Sequence, residues 1–252
     1  MDESLVNSLN NLSLNKNDEY ISKIVLIQKH FRGYLARCRL LPLILYRIQS
    51  HIKSCAFKFC KNNDDGRINS CMDEDEVIKL LQNSKFGDKI KKPQIRMWYD
   101  ILAFDTLYGW LPINIKTTTT KQSDNIGNLA TCVYAYTDEV LDIHRSKTYE
   151  NGKMSEVLFE KLKDKKYNKS NKKDYYFVVL NKNDSSDVII NSIKGLNMLT
   201  PNANNLPFQI NWSRNRDFVY KNIRDAIQLF ITCLQYTKPC WKENFMKNMR
   251  TL

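Results

Sequence analysis

Asp100 and the tripeptide Asn114-Ile115-Lys116 are the residues of this chain whose types and order best suit a chemical task. Hydrolysing a phosphodiester needs a bound divalent cation, an activated water and a positive charge where negative charge develops. A carboxylate offers hard oxygen to the cation, and a nearby lysine supplies the charge. On an extended chain alternate side chains share a face, so Asn114 and Lys116 point one way while Ile113 and Ile115 enter the core. The runs IRMWYDILAFDTL and LPINIKTTTT, joined by YGW, predict a hairpin. With its turn centred on Tyr108, Asp100 stands opposite Lys116 on the same face. A register changed by one residue brings Asp105 there instead. INIK by itself is also the pattern of an edge strand whose lysine reaches solvent.

Several elements must position these residues. Asn69 or Ser70 can cap a helix with an acidic first turn and the apolar face EVIKLLQ. NLATCVYAYTDEVLDI is a helix or a strand. The lysine- and asparagine-rich run at 161–174 reads as a solvated surface loop. DYYFVVLNK and DVIINSI predict strands, and DFVYKNIRDAIQLFITCLQYT an amphipathic helix. The chain has no internal repeat. The mixture predicts an α/β (α+β) domain over residues 67–252, a mixed central sheet flanked by helices. Upstream, residues 1–18 are polar and read as disordered. Residues 19–60 read as a helical arm, with Ile24, Ile27, Phe31, Leu35 and Ala36 on one stripe and Pro42 interrupting it. The turn KNNDDG at 61–66 marks the boundary between arm and domain.

The segments GRINS with its acidic helix, WYD, PINIKTTTT, SDNIGNLA, VYAYT, DYYFVVLNKND and TPNANNLPFQINW together resemble the PD-(D/E)xK nuclease superfamily, and within it type II restriction endonucleases. The resemblance runs from about Gly66 to Tyr236. It implies a restriction-endonuclease-like fold and magnesium-dependent cutting of double-stranded DNA, with manganese able to substitute. It makes Asp100 a metal-binding aspartate and Lys116 the lysine of the (D/E)xK strand. A glutamate on the preceding helix completes such a site: Glu74 by position, or its competitor Glu76. Glu74 and Asp100 would hold the metal, and Asn114 would assist. Asn114 departs from the pattern, because an amide binds magnesium more weakly than a carboxylate.

Ile27-Gln28-Lys29-His30-Phe31-Arg32-Gly33-Tyr34-Leu35-Ala36-Arg37 resembles the IQ motif, matching IQxxxRGxxxR at every defining position. In that family the helix is gripped by calmodulin or a related light chain. Ile27, Gln28, Phe31, Arg32, Gly33 and Arg37 are therefore the expected contacts, apolar anchors for a groove and cations for an acidic rim. The competing expectation is a basic amphipathic helix that packs on the rest of the chain or touches DNA. A calmodulin partner implies the cytoplasm or nucleus of a eukaryotic cell. An IQ motif on a restriction-like enzyme of lysine- and asparagine-heavy composition is similar to proteins of large DNA viruses of protists.

The bulk properties agree with a polyanionic partner. Lysine and arginine number 39 against 27 acidic residues, a formal charge of +12. The seven cysteines are scattered without a CxxC pair, as free thiols are in a reducing compartment. Cys55, Cys60 and Cys71 match no tight zinc knuckle. The start MDESLVNSLNN lacks the features of a signal peptide, so secretion is not expected. No stretch approaches the ~18 apolar residues of a membrane span. No P-loop or GxGxxG is present, and His144 lacks a partner for a triad. Ser123, Asp124 and Asn125 can contact DNA or merely cap the next helix. Asn204, Asn205, Gln209 and Asn211 can read adenine or satisfy their own loop. Symmetric cleavage of both strands would favour a homodimer. The contrasting function is a catalytically silent DNA-binding or scaffolding protein recruited by calmodulin.

Overall fold

The computed structural model describes residues 19–29, 40–60, 65–94, 97–125, 129–144, 151–170, 172–202 and 207–236. The chain divides into two units, Met1–Leu40 and Leu41–Leu252. Within the first, residues 19–29 form a helix, α1, tied by an exposed Glu19–Lys23 pair of 2.6 Å one turn apart.

The second unit is a mixed α+β fold. Its five-stranded sheet has the order β1 (Ile90–Lys91), β2 (Ile101–Asp105), β3 (Gly109–Thr118), β5 (Tyr176–Asn181), β6 (Asp184–Ser192). All neighbours are antiparallel except β3 and β5, which run parallel and pair Ile113 with Tyr176 through to Thr118 with Asn181. Parallel neighbours need a crossover, and α4 (Leu129–Tyr136) and α5 (Asn151–Lys163) supply helices for it. Strands buried on both faces are apolar nearly throughout, which explains the run YYFVVL. LATCVYAY, Leu129–Tyr136, is the helical one of its two expected forms.

Helices cover both faces of the sheet. On one, α2 (Leu43–Ser54) and α3 (Gly66–Gln82) pack Ile44, Leu45, Ile48, Ile52, Val77 and Leu81 against Ile101, Ile113, Ile115, Val178 and Val188. On the other, α4, α5 and α6 (Ile223–Tyr236) bring Val133, Leu158 and Phe230 into a core with Leu102, Phe177, Val179 and Trp212. A separate two-stranded ribbon joins β4 (Ser123–Asn125) to β7 (Gln209–Asn211).

Three expectations change. The boundary expected at 61–66 falls inside the second unit. The stretch after Pro42 is not part of an arm but is α2, whose apolar stripe is wholly buried under the sheet. Burial of four large aliphatic side chains contributes roughly 6–12 kcal/mol, and Asp105 fastens the helix start by accepting from the Ile44 N–H at 3.1 Å. The run at 161–174 is also more than a solvated loop: it begins inside α5, and Asn168 and Asp174 are buried. Asn168 donates to the carbonyls of Ala135 and Lys173, and Lys173 Nζ donates to that of Thr137 at 2.9 Å. Ser123–Asn125 is strand, and α4 is described from Leu129.

Candidate active site and the IQ helix

β2 and β3 are registered Ile101 with Ile113 and Asp105 with Gly109, so the turn centres on Leu107, one residue before the expected position. That register carries Asp100 alongside Asn114, two residues short of Lys116. Because the change at Asp100's partner is by two, the face is preserved. Asp105 is excluded from this face by its turn: one carboxylate oxygen accepts from the N–H groups of Leu107 and Tyr108 at 2.8 and 3.2 Å, and the other caps α2.

Asp100 lies just before β2, where its own N–H donates to the Ile113 carbonyl at 3.0 Å. Its Oδ2 accepts from Asn114 Nδ2 at 2.7 Å and from the Ile115 N–H at 2.8 Å. Its Oδ1 has no donor among the described residues. Burial pushes the Asp100 carboxyl up to about 7, the Glu74 charge pushes the same way, and the Ile115 N–H and Lys116 oppose. The group is enclosed while the residue keeps a narrow solvent-facing edge.

Glu74 approaches from α3, which packs on the Ile113 and Ile115 face, and meets Lys116 and Thr117 in the last residues of β3. Glu74 Oε1 lies 3.4 Å from Lys116 Nζ and accepts from the Thr117 N–H at 3.3 Å. Burial raises the Glu74 carboxyl as well, against Lys116, the Thr117 N–H and Lys182. Glu76 faces away, in an exposed pair with Lys79 at 2.6 Å. The structure therefore brings together Glu74, Asp100, Asn114 and Lys116. Asn114 turns its nitrogen toward Asp100, so it serves that carboxylate as a donor.

Two of the supporting residues, Lys182 and Asp73, were not singled out in the sequence. Lys182, at the end of β5, donates to Ser70 Oγ at 2.9 Å and lies 3.5 Å from the fully buried Asp73. The backbone N–H of Lys182 reaches the Thr118 carbonyl at 2.8 Å, and Asp73 accepts from the Cys60 N–H at 2.7 Å. These bonds hold α3 against the ends of β3 and β5, and thereby aim Glu74. On the other side Thr118 Oγ1 donates to Asp124 Oδ1 at 3.2 Å. Burial raises the Asp124 carboxyl; the Thr118 bond, the Lys116 charge and the facing Trp212 indole oppose that rise, although the indole N–H closes no hydrogen bond. The signal for Lys182 was the parallel pairing of two strands ending together, which only the fold reveals.

Two enclosed carboxylates with raised proton affinity suit a hard divalent cation, and magnesium is commonly held by one or two carboxylates with waters and substrate phosphates. Among the described residues no three His, Cys, Asp or Glu side chains gather as a metal site; Glu74 and Asp100 are a pair of carboxylates that feel each other's charge. Among the described residues Cys55, Cys60, Cys71, Cys132 and Cys233 form no disulfide. His144 is exposed at the edge of Trp110, with ring centroids 6.5 Å apart, and has no triad geometry. Trp98 and Trp212 are buried packing residues, and Trp110 lies under Lys91 at 4.1 Å. Of the expected DNA contacts, Ser123, Asn125 and Gln209 lie on the ribbon; Asn205 lies outside the described residues.

In the first unit, α1 presents Ile21, Ile24, Val25, Leu26 and Ile27 largely exposed, Ile27 at 67%. Residues 21–41 match the IQ calmodulin-binding motif. The chain carries an IQ motif. Ile27 and Gln28 of the IQ motif lie on α1, both exposed, whereas Phe31, Arg32, Gly33 and Arg37 lie outside the described residues. No curated protein and no solved structure matches the chain. No described helix is long and apolar enough to cross a membrane.

Proposed function

We propose that the second unit is a magnesium-dependent endonuclease acting on double-stranded DNA, of the PD-(D/E)xK kind that includes type II restriction enzymes. The IQ motif of the first unit recruits a calmodulin-like protein in a eukaryotic cytoplasm or nucleus. The observation that carries the nuclease reading is the convergence of Glu74, Asp100, Asn114 and Lys116 from one helix and two adjoining strands. The mixed sheet flanked by helices and the charge of +12 support it.

When bound, the metal supplies charge neutralisation at the phosphate and a more acidic water. Glu74 and Asp100 would hold it. Lys116, kept in place by Glu74, orients the water and stabilises charge developing on the phosphoryl oxygens. Asn114 holds the Asp100 carboxylate in place by donating to its Oδ2. Symmetric double-strand cutting would use a homodimer.

Supercoiled plasmid incubated with the protein and magnesium tests this reading. Linear or fragmented product is expected with magnesium or manganese and none in EDTA. Lys116→Ala should cut about a hundredfold more slowly or worse. An uncut plasmid under all these conditions favours the second reading, a silent DNA-binding or scaffolding protein recruited through its IQ motif. That reading has one observation of its own: the (D/E) position is an amide that spends its nitrogen on Asp100.

A further inference from the structure

The ribbon of β4 and β7 has two unlike faces. On the inner one Ile210 is fully buried and Asp124 is bonded to Thr118 of β3. On the outer one stand two directly opposed pairs, Ser123 with Asn211 and Asn125 with Gln209. No apolar side chain occurs on that face. Asn211 is committed internally, donating to the Lys121 carbonyl at 3.4 Å and accepting from Ser213 at 2.5 Å.

The Asn125–Gln209 pair is different. Asn125 Oδ1 accepts from Gln209 Nε2 at 2.9 Å and from Asn202 Nδ2 at 3.0 Å, which fills its acceptor capacity. What remains is Asn125 Nδ2, with no acceptor among the described residues, and Gln209 Oε1, with no donor. One donor and one acceptor are therefore left over on two paired residues, Asn125 exposed and Gln209 half-buried, of a two-stranded ribbon, an element the major groove of duplex DNA admits.

Resting on the nuclease reading, we propose that this pair reads an adenine from the major groove. Asn125 Nδ2 donates to adenine N7, and Gln209 Oε1 accepts from the N6 amino group. Guanine presents two acceptors there and would set O6 against Gln209 Oε1. Cytosine offers only a donor and thymine only an acceptor beside its methyl group, so each leaves one amide unpaired. The Thr118–Asp124 bond ties the ribbon to β3 two residues beyond Lys116, so the base is read close to where the phosphate is attacked.

The test uses the full chain to enrich bound sequences from a randomised duplex pool. The winning duplex is then remade with 7-deazaadenine, which lacks N7, at each adenine in turn. One replacement should weaken binding about tenfold. Asn125→Asp keeps the acceptor that Gln209 and Asn202 use but loses the donor, and should bind that duplex and its parent equally. If every 7-deaza duplex binds like its parent, or Asn125→Asp stays as sensitive as the unaltered protein, the adenine assignment is overturned while plasmid cutting stands. If the protein neither enriches nor cuts any duplex, both the assignment and the nuclease reading fall.

Discussion

Replacing Asp100 with asparagine should stabilise the metal-free protein at alkaline pH while ending its activity. The carboxyl group is shifted from 3.8 to about 7, chiefly by burial. At about 1.36 kcal/mol per unit, that shift corresponds to about 4 kcal/mol. The solvent-facing edge of Asp100 screens part of it, so about 2 kcal/mol is expected. The sign follows from proton binding. A folded-state value above the unfolded one means the folded protein binds the extra proton, so this contribution is complete below pH ~4 and is lost as pH rises to ~7. An amide in place of this carboxylate would carry no charge to desolvate and would still accept from Asn114 and Ile115. Urea unfolding followed by tryptophan fluorescence in EDTA, at pH 4.5 and pH 8, isolates the effect as the difference between parent and Asp100→Asn. The variant should be more stable at pH 8 and nearly equal at pH 4.5. Magnesium should stabilise the parent at pH 8 and leave the variant unmoved. Equal stabilities at both pH values would show that Asp100 is not held under electrostatic strain, and the argument for a cation at that position would fail.

Asn114→Asp sets a second carboxylate against Asp100, so it should lower apo stability at pH 8 and tighten magnesium binding by calorimetry, by about tenfold. A chain beginning at Leu41 should unfold cooperatively, whereas one beginning at Gly66 loses α2 and, with it, roughly 6–12 kcal/mol of burial, as much as most domains possess; circular dichroism and urea titration distinguish them. A peptide of residues 19–41 should bind calmodulin by calorimetry, and Ile27→Glu should abolish binding by placing a charge in the apolar contact.

Much of the candidate site was legible because period two decides which side chains share a face before register is known. Asp100, Asn114 and Lys116 stay on one face whether the hairpin turns at Tyr108 or at Leu107. The finer pairing escaped because it depends on Asp105, whose carboxylate holds the turn through the Leu107 and Tyr108 amides. Placing the domain boundary failed for a different reason. KNNDDG is a turn by composition, but whether the preceding helix belongs to the core depends on Ile44, Leu45, Ile48 and Ile52 meeting strands far along the chain. The ribbon was invisible because three-residue strands with polar outer faces show no hydrophobic alternation. Composition also misjudged Lys173: carbonyls of Thr137 and Glu139 receive its ammonium, and burial lowers it to about 8.

The place of α2 also has a consequence for how the protein is made. Gln49 bonds to the carbonyl of Val188 at 2.6 Å, a separation of 139 residues. At ~5–20 residues per second, the ribosome delivers that partner strand roughly 7–28 s after the helix. Through that interval the four large aliphatic side chains of the helix are only partly covered, by α3, β2 and β3. Yield in a foreign host should therefore depend on chaperone capture during synthesis, and slowing translation should lower it.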